Sequence, residues 1–447
     1  MKASAKILPR EEWPYEVPEN WVWTFLQDVC VMPITDGTHK TPTYCNANKG
    51  FPFISSKDVT SQHINWDNIK YITPELHDEL YARLAPQIDD ILLAKNGTTG
   101  VAALVETNRI FDIYVTLAII RSNQNIVIPK YMFFLINSPV CKQQFDEHLT
   151  GIGLPNLHLR DIKATIIPLP PLPEQQRIIA RIESLFSKLD AAAGKIRSAL
   201  DSFDMRKAAI LHKAFTGELT KKWRKENGVG MESWKTTTLG NCGEWSGGGT
   251  PSMKHPEYWE NANIRWVTAK DMKIDTILDT QMHINSAGEE NSSAKLIQGT
   301  ALLFVTRSGI LRRMFPVAMI DGEFTVNQDL KVLKPNDEFD TKYLLRACQA
   351  GEQRILNECM KSGTTVESIN FSALKNFSIP VCSIGEQKEI VRVLDAIFAR
   401  ERAAKETAER LLEKIALTKK SILARAFRGA LGTNDPTEES AEKALLA

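Results

Sequence analysis

Apolar residues in the stretch following Pro173 recur by fours and threes: Ile178, Ile182, Leu185, Leu189, Ala192, Ile196, Ala199 and Phe203. Much later Ile390, Leu394, Ile397, Ala404, Ala408, Leu411 and Ile415 keep the same beat, with Glu401 the one lapse. This spacing predicts two long helices with a narrow apolar seam, and small residues midway permit close approach. Each opens on a Pro-x-x-Glu-Gln pattern, complete in "PLPPLPEQQ" and reduced to "CSIGEQ" in the second copy; proline is well placed just before a helix. At ~1.5 Å per residue, about 40 residues make a rod of ~60 Å, longer than a compact domain requires. Matched length and seam make each helix the simplest partner of the other. The alternative is two amphipathic helices that each pack on their own domain.

Ahead of each helix the pattern changes to short apolar runs broken by polar, Gly-bearing turns, which predicts strands. Residues 20–168 contain "FPFISS", "IKYITPE", "DILLAK", "GVAALVE" and "YVTLAIIRS", then a helix over 130–147. Residues 233–380 contain "IRWVTA", "ALLFVT", "PVAMI" and "LKVLK", then a helix from Lys342 to about Cys359. The order is the same because the chain repeats itself. Residue i set beside i+212 matches without a gap from Lys130 to Leu219: Lys130-Tyr131 meets Lys342-Tyr343, Gly151 meets Gly363, Glu174-Gln175 meets Glu386-Gln387, and "KAFTGEL" meets "RAFRGAL". A period this long excludes a solenoid and implies two whole domains. The expected class is α+β: two similar domains with twisted sheets, joined by two long helices in an antiparallel coiled coil with pseudo-two-fold symmetry. The expected segments are 1–19, an N-terminal segment; 20–168, the first domain; 169–220, a central spacer helix; 221–232, a linker; 233–380, the second domain; 381–431, a distal spacer helix; and 432–447, a tail forming a short helix or disordered. Trp13 and Trp21 are expected to dock on a helix end as Trp223 and Trp234 do.

Composition narrows the class. The 447 residues suffice for two or three domains, and 43% hydrophobic with 24% charged content is ordinary for a globular protein. No apolar run approaches the ~20 residues that span a bilayer, and no signal-like core opens the chain. Seven cysteines without a CxxC pair suggest free thiols in the cytoplasm. A formal charge of +1 excludes a uniformly basic nucleic-acid coat but not a basic face. Residues 173–226 hold 12 Lys/Arg against 7 Asp/Glu, with "KKWRKENG" the main source and best read as a linker.

Familiar catalytic patterns are missing. There is no GxxxxGK[ST] loop and no NPPY-like adenine-methylation motif. The run "SGGGT" (246–250) reads as a turn letting backbone approach something, such as phosphate. "DEFDTK" (337–342) has a nuclease-like acid-x-Lys spacing, but its counterpart "NIVIPK" has no acid, so it reads as a loop leading into a helix. Cys30, His39 and Cys45 fit no common metal spacing. Two domains at opposite ends of a rod could instead face one side of a DNA duplex, whose groove positions repeat every ~34 Å.

The full order of domain, "PLPPLPEQQRIIARIESLF" helix, "AFTGELTKKWR" junction, second domain, "EQKEIVRVLDAIF" helix and "AFRGALG" resembles the DNA-specificity subunit of type I restriction-modification enzymes over nearly the whole chain. The resemblance implies a non-catalytic subunit in which each target-recognition domain reads one half of a bipartite double-stranded DNA site and the helices set the gap. It also implies two methyltransferase subunits and up to two restriction/translocase subunits as partners. Cofactors would be absent from this chain, with S-adenosylmethionine, ATP and Mg on the partners. The competing readings are a coiled-coil adaptor that never touches nucleic acid, and the recognition chain of another nuclease-methylase assembly.

Base readout requires fork-like donors and acceptors on held loops. The framework runs match between copies, whereas "TDGTHKTPTYCNANKG" faces "SGGGTPSMKHPEYWENAN", and "KNGTTG" faces "TRSGILRR". Candidate DNA contacts are therefore Thr38, His39, Lys40, Lys57, Lys95, Asn96 and Thr98 in the first domain. In the second they are Thr250, Lys254, Lys270, Arg307, Ser308, Arg312 and Arg313. Arg307 suits guanine and Asn96 adenine. Lys57 and Lys270, at matching places before Asp58 and Asp271, suit phosphate positioning, since a shared residue cannot by itself distinguish two half-sites.

Overall fold

The computed structural model describes residues 7–150, 155–361 and 366–447. It divides into two compact units, residues 1–196 with 409–447, and residues 197–408. In the first unit the strands Thr35–Asp36, Leu117–Ile120, Ile91–Ala94 and Ala102–Leu104 form a sheet in that order. A second sheet runs Tyr44–Cys45, Lys70–Ile72, Phe51–Ile54 and Asp112–Ile113. The other unit repeats the plan with Gly243–Gly247, Leu330–Pro335, Ala301–Val305, Val317–Ile320 and Thr276–Ile277, then Met282–Ile284, Ile264–Val267, Glu323–Val326 and Ile297–Gln298. In each second sheet the same pair is parallel, Phe51–Ile54 with Asp112–Ile113 and Ile264–Val267 with Glu323–Val326. The α+β class and the duplication therefore hold at the level of strand order. The all-buried runs Ile91–Ala94 and Ala301–Val305 lie mid-sheet, packed on both faces.

Three local expectations change. The helix over 130–147 is two, Pro129–Ile136 and Pro139–Glu147, because Pro139 cannot supply an interior N–H and instead starts a new helix capped by Ser138. Its counterpart breaks at Gly351 into Thr341–Ala350 and Glu352–Cys359. The segment after "IKYIT" turns helical at Pro74 and runs to Arg83, a helix with too few apolar residues to stand out by period.

A two-stranded ribbon joins each domain to its long helix: Val22–Phe25 pairs with Ile166–Leu169, and Lys235–Thr238 with Ser378–Val381. The Glu-Gln pair that follows has a tertiary purpose. Gln175 accepts from the Ile128 N–H at 2.8 Å and donates to the carbonyls of Ile126 and Pro170, both at 2.9 Å. Gln387 does the same with Asp340, Glu338 and Cys382. Both glutamines are fully buried and tie the loop before the preceding helix pair to the start of the long helix. Glu174 and Glu386, equally buried, accept hydroxyl bonds of 2.6 Å from Thr433 and Thr220 respectively.

These contacts set helix direction within each unit. In the first, Glu174 meets Thr433 while Asp190 pairs with Lys419 at 2.5 Å. In the second, Arg206 meets Glu401 at 2.9 Å while Thr220 meets Glu386. Position rises along one strand of helix as it falls along the other, so the pair is antiparallel. The distal helix is continuous over Ile384–Ala426, 43 residues, whereas the central one is interrupted at Ser202 between Leu172–Asp201 and Phe203–Phe215. There the Ser202 hydroxyl donates back to the Ala199 carbonyl at 2.6 Å, competing with the helical ladder. Glu401, the lapse in the seam, is half-buried because Arg206 reaches it from the facing helix. The expected seam residues Ala192, Ala199, Ala404 and Leu411 are exposed, while Ala193, Leu200 and Leu412 turn inward. A heptad reading drifts by about 20° per repeat on a straight helix of 3.6 residues per turn, which moves the seam by one position.

Residues 221–227 are a helix rather than a linker: Arg224 is buried and donates to Glu386, Thr220 and the Gly217 carbonyl. The tail also folds. Ala441–Leu446 is a helix whose Ala441 and Leu445 join the core of the first unit, and Arg177 forks onto Glu438 with two bonds of 2.8 Å. Trp21 and Trp234 do play parallel parts, donating to Asn434 and Glu386, each at 3.1 Å. Trp13 and Trp223 do not: Trp13 bonds its own arm at Leu8, and Trp223 lies beside Gly385.

Candidate nucleic-acid interface

The loop after Thr35–Asp36 is anchored from below. Asp36 is buried and takes an ion pair of 3.1 Å from Lys95, whose side chain is 9% exposed. His39 reaches the other Asp36 oxygen at 3.3 Å, and Arg83 donates to the Asp36 carbonyl at 3.1 Å. Gly37 passes so close to the neighbouring strand that a Cβ there would sit 2.0 Å from the Ile113 carbonyl oxygen. Lys95 therefore holds the loop and does not face solvent; burial of a charge is tolerated because it is paired. Thr38 is buried too and bridges Tyr114, so of the three candidates on that loop only His39 and the Glu79-paired Lys40 are exposed.

The equivalent loop of the second unit carries the glycine run. A Cβ on Gly248 would lie 1.9 Å from the Val326 carbonyl oxygen, and one on Gly249 would strike Ser293. What the backbone approaches is the domain's second sheet at Val326 and the turn at Ser293, which supersedes the reading of "SGGGT" as a phosphate turn. Beyond it Thr250 bonds Gln328, and Lys254 is exposed.

Lys57 and Lys270 occupy the same turn in the two domains. Asp58 accepts from the backbone and hydroxyl of Ser55, both at 2.8 Å; Asp271 accepts from Thr268 in the same way at 2.8 and 2.9 Å. Each aspartate thus builds the turn and each lysine is presented on its outside, without an ion partner among the described residues. A third pair of loops follows the central strands. Asn96 forms a bridge with Asn156 and donates to its side chain at 2.7 Å. Arg307 bridges Ser368 at the equivalent place, and Ser308 caps the turn over Gly309–Arg312. Thr98, Arg307 and Arg313 are exposed. Arg312 is held by Glu367, whose carboxyl that hydrogen bond keeps below the usual range. Among the described residues neither Arg307 nor Arg313 has a side-chain partner.

In each domain the loop after the central strand is joined by a downstream segment that the sequence pattern did not single out. Asn156 and His158 in the first domain, and Lys361 and Ser368 in the second, lie about sixty positions downstream of the loops they join. The repeat did carry a signal there, the paired Gly151 and Gly363, both outside the described residues. Elsewhere candidate chemistry resolves into structure. Asp340 of "DEFDTK" caps its helix by accepting from Tyr343, and Lys342 pairs with Asp395. The Cys30 thiol, pushed up to about 12 by burial, donates to the Leu26 carbonyl, while His39 turns to Asp36.

The model of the type I restriction modification DNA specificity domain matches residues 18–200 and, a second time, residues 231–413. The chain belongs to this family. Among curated relatives, the type I restriction enzyme EcoR124I/EcoR124II specificity subunit of Escherichia coli is 35% identical over 230 residues, 51% of this chain and 54% of that protein. The chain thus spans about half the length of that relative in the match. The StySPI specificity subunit of Salmonella potsdam is 21% identical over 93% of this chain and 90% of its own length. A chain from a structure of type I R-M system assembly and conformational transition superposes with a TM-score of 0.70 at 22% identity, covering 94% of this chain and 100% of that one. That likeness is one of fold. Among the described residues no helix is long and apolar enough to cross a membrane.

Proposed function

We propose that this chain is the sequence-reading subunit of a type I restriction-modification assembly and carries no active centre of its own. Each domain reads one half of a bipartite double-stranded DNA site, and the antiparallel helices set the unread interval. The observation that carries this reading is a single loop framework built twice with different tips. Thr98 and the bonded Asn96 stand where Arg307, Arg312 and Arg313 stand in the other copy. Shared turns bearing Lys57 and Lys270 then position phosphate, and the differing tips discriminate bases. Two methyltransferase subunits and up to two restriction/translocase subunits complete the assembly in the cytoplasm, and they bind S-adenosylmethionine, ATP and Mg.

The test is methylation mapping by long-read sequencing in cells that express the chain with its methyltransferase. A two-part motif is expected, and replacing residues 20–168 by another member's domain should alter one half only. A motif unchanged by the swap, or a purified assembly whose DNA binding ignores salt, would reject the proposal.

A further inference from the structure

The two ribbons that lead into the long helices differ at their outer edge. In the first unit Trp23 lies opposite Pro168, and in the second Thr236 lies opposite Pro380. Proline has no N–H, so each is a non-hydrogen-bonded pair, and the backbone groups of Trp23 and Thr236 point away from the partner strand. The proline carbonyls are turned elsewhere, accepting from Tyr131 at 3.0 Å and Tyr343 at 2.9 Å. In the first unit the outward edge is filled by the chain's own N-terminal arm. Ile7 bridges Thr24, the Leu8 N–H donates to the Trp23 carbonyl at 2.9 Å, and Trp23 is wholly buried. The segment before the second ribbon forms the helix Lys221–Asn227 instead, so no arm is left to cover the equivalent edge. Thr236 is exposed, and among the described residues no backbone group beyond Ser378–Val381 pairs with Lys235–Thr238.

The bare edge borders a groove of about 760 Å³ within the second unit. Phe339, Val381 and Ile384 supply apolar surface, while Glu232, Asp337 and Glu338 outnumber Lys235 along its sides. An uncovered strand edge beside an apolar groove with an excess of acidic residues is suited to an added strand flanked by cations. We propose that Lys235–Thr238 is a docking edge for an extended segment of a partner polypeptide, with apolar residues at its pairing positions and basic residues flanking them. The arm shows that pattern, since Lys2, Lys6 and Arg10 flank Ile7 and Leu8. This goes beyond DNA reading and does not depend on it.

A synthetic peptide of residues 2–10, KASAKILPR, titrated against the full chain tests the idea, with a scrambled peptide of equal charge as control. Saturable binding of the native-order peptide is expected, with slowed hydrogen exchange at the Thr236 amide and at least tenfold weaker binding to Thr236→Pro. Exchange is read on the unmodified chain, so the outcome stands even if the proline variant folds poorly. Absent binding, equal binding of the scrambled peptide, or an unprotected Thr236 amide would overturn the proposal. So would a dimer of the chain that Thr236→Pro abolishes, because the edge would then belong to a second copy.

Discussion

Arg307 and Lys57 are both exposed cations at domain tips, and under the proposed function their different environments give them different roles. Arg307 stands on a loop unlike its counterpart, while Lys57 stands on a turn that the other domain reproduces with Lys270. If the proposed assembly reads DNA through these tips, Arg307→Ala should cost about 1–3 kcal/mol at one base pair and relax discrimination there. Lys57→Ala should weaken binding to all sequences alike and lower the salt slope by about one. Competition binding at several salt concentrations distinguishes the two. Lys95 belongs to neither class. Lys95→Met strands Asp36 without its buried partner and should destabilise the first unit by about 3–5 kcal/mol, with Asp36→Asn recovering much of the loss. Urea denaturation of the single and double variants measures this.

Helices and turns here are defined by side chains that answer backbone groups far away in sequence. The Pro-x-x-Glu-Gln start could be recognised as a helix opening, but its glutamine was not legible as a clasp on Ile126 and Ile128, nor its glutamate as the acceptor for Thr433. Those contacts depend on chain segments that only folding brings near. The seam was legible in outline and shifted in detail, and Glu401 made sense once Arg206 stood opposite it. Arg346 offers a similar case: it is buried, pairs with Asp275 at 2.6 Å and Asp395 at 3.2 Å, and lies over Phe398. Burial pushes the Asp275 carboxyl up, but the charge of Arg346 and the bonds from Arg346 and Gln349 outweigh it and hold it below its ordinary 3.8. A depressed folded-state pKa contributes stability above the ordinary value, and that contribution is lost as pH falls through the folded one. Thermal unfolding between pH 5 and pH 2, on the order of the carboxylate range, should show an acid limb that Asp275→Asn flattens. Asp275 is half exposed, so the effect should stay under about 1 kcal/mol.

Considered whole, the chain closes its first unit with its own ends. The arm at Ile7 and Leu8, the helix Ala441–Leu446 and the Arg177–Glu438 fork all belong to that unit. Ending the chain at Thr433 should therefore lower the stability of the first unit by about 2–4 kcal/mol, from lost burial of Leu445 and the lost charge-assisted bonds. Hydrogen exchange should show the change in residues 7–196, with 233–380 unaffected. Periodicity and self-similarity determined the duplicated α+β plan and the two long helices, because spacing along the chain is a local property and survives in one dimension, while the sequence motifs carried the family resemblance. Which lysine is buried, which glycine meets the neighbouring sheet, how the tail docks and which strand edge stays bare were decided only by tertiary structure. Each depends on a partner tens to hundreds of residues away, and burial and pairing exist only once that partner has arrived.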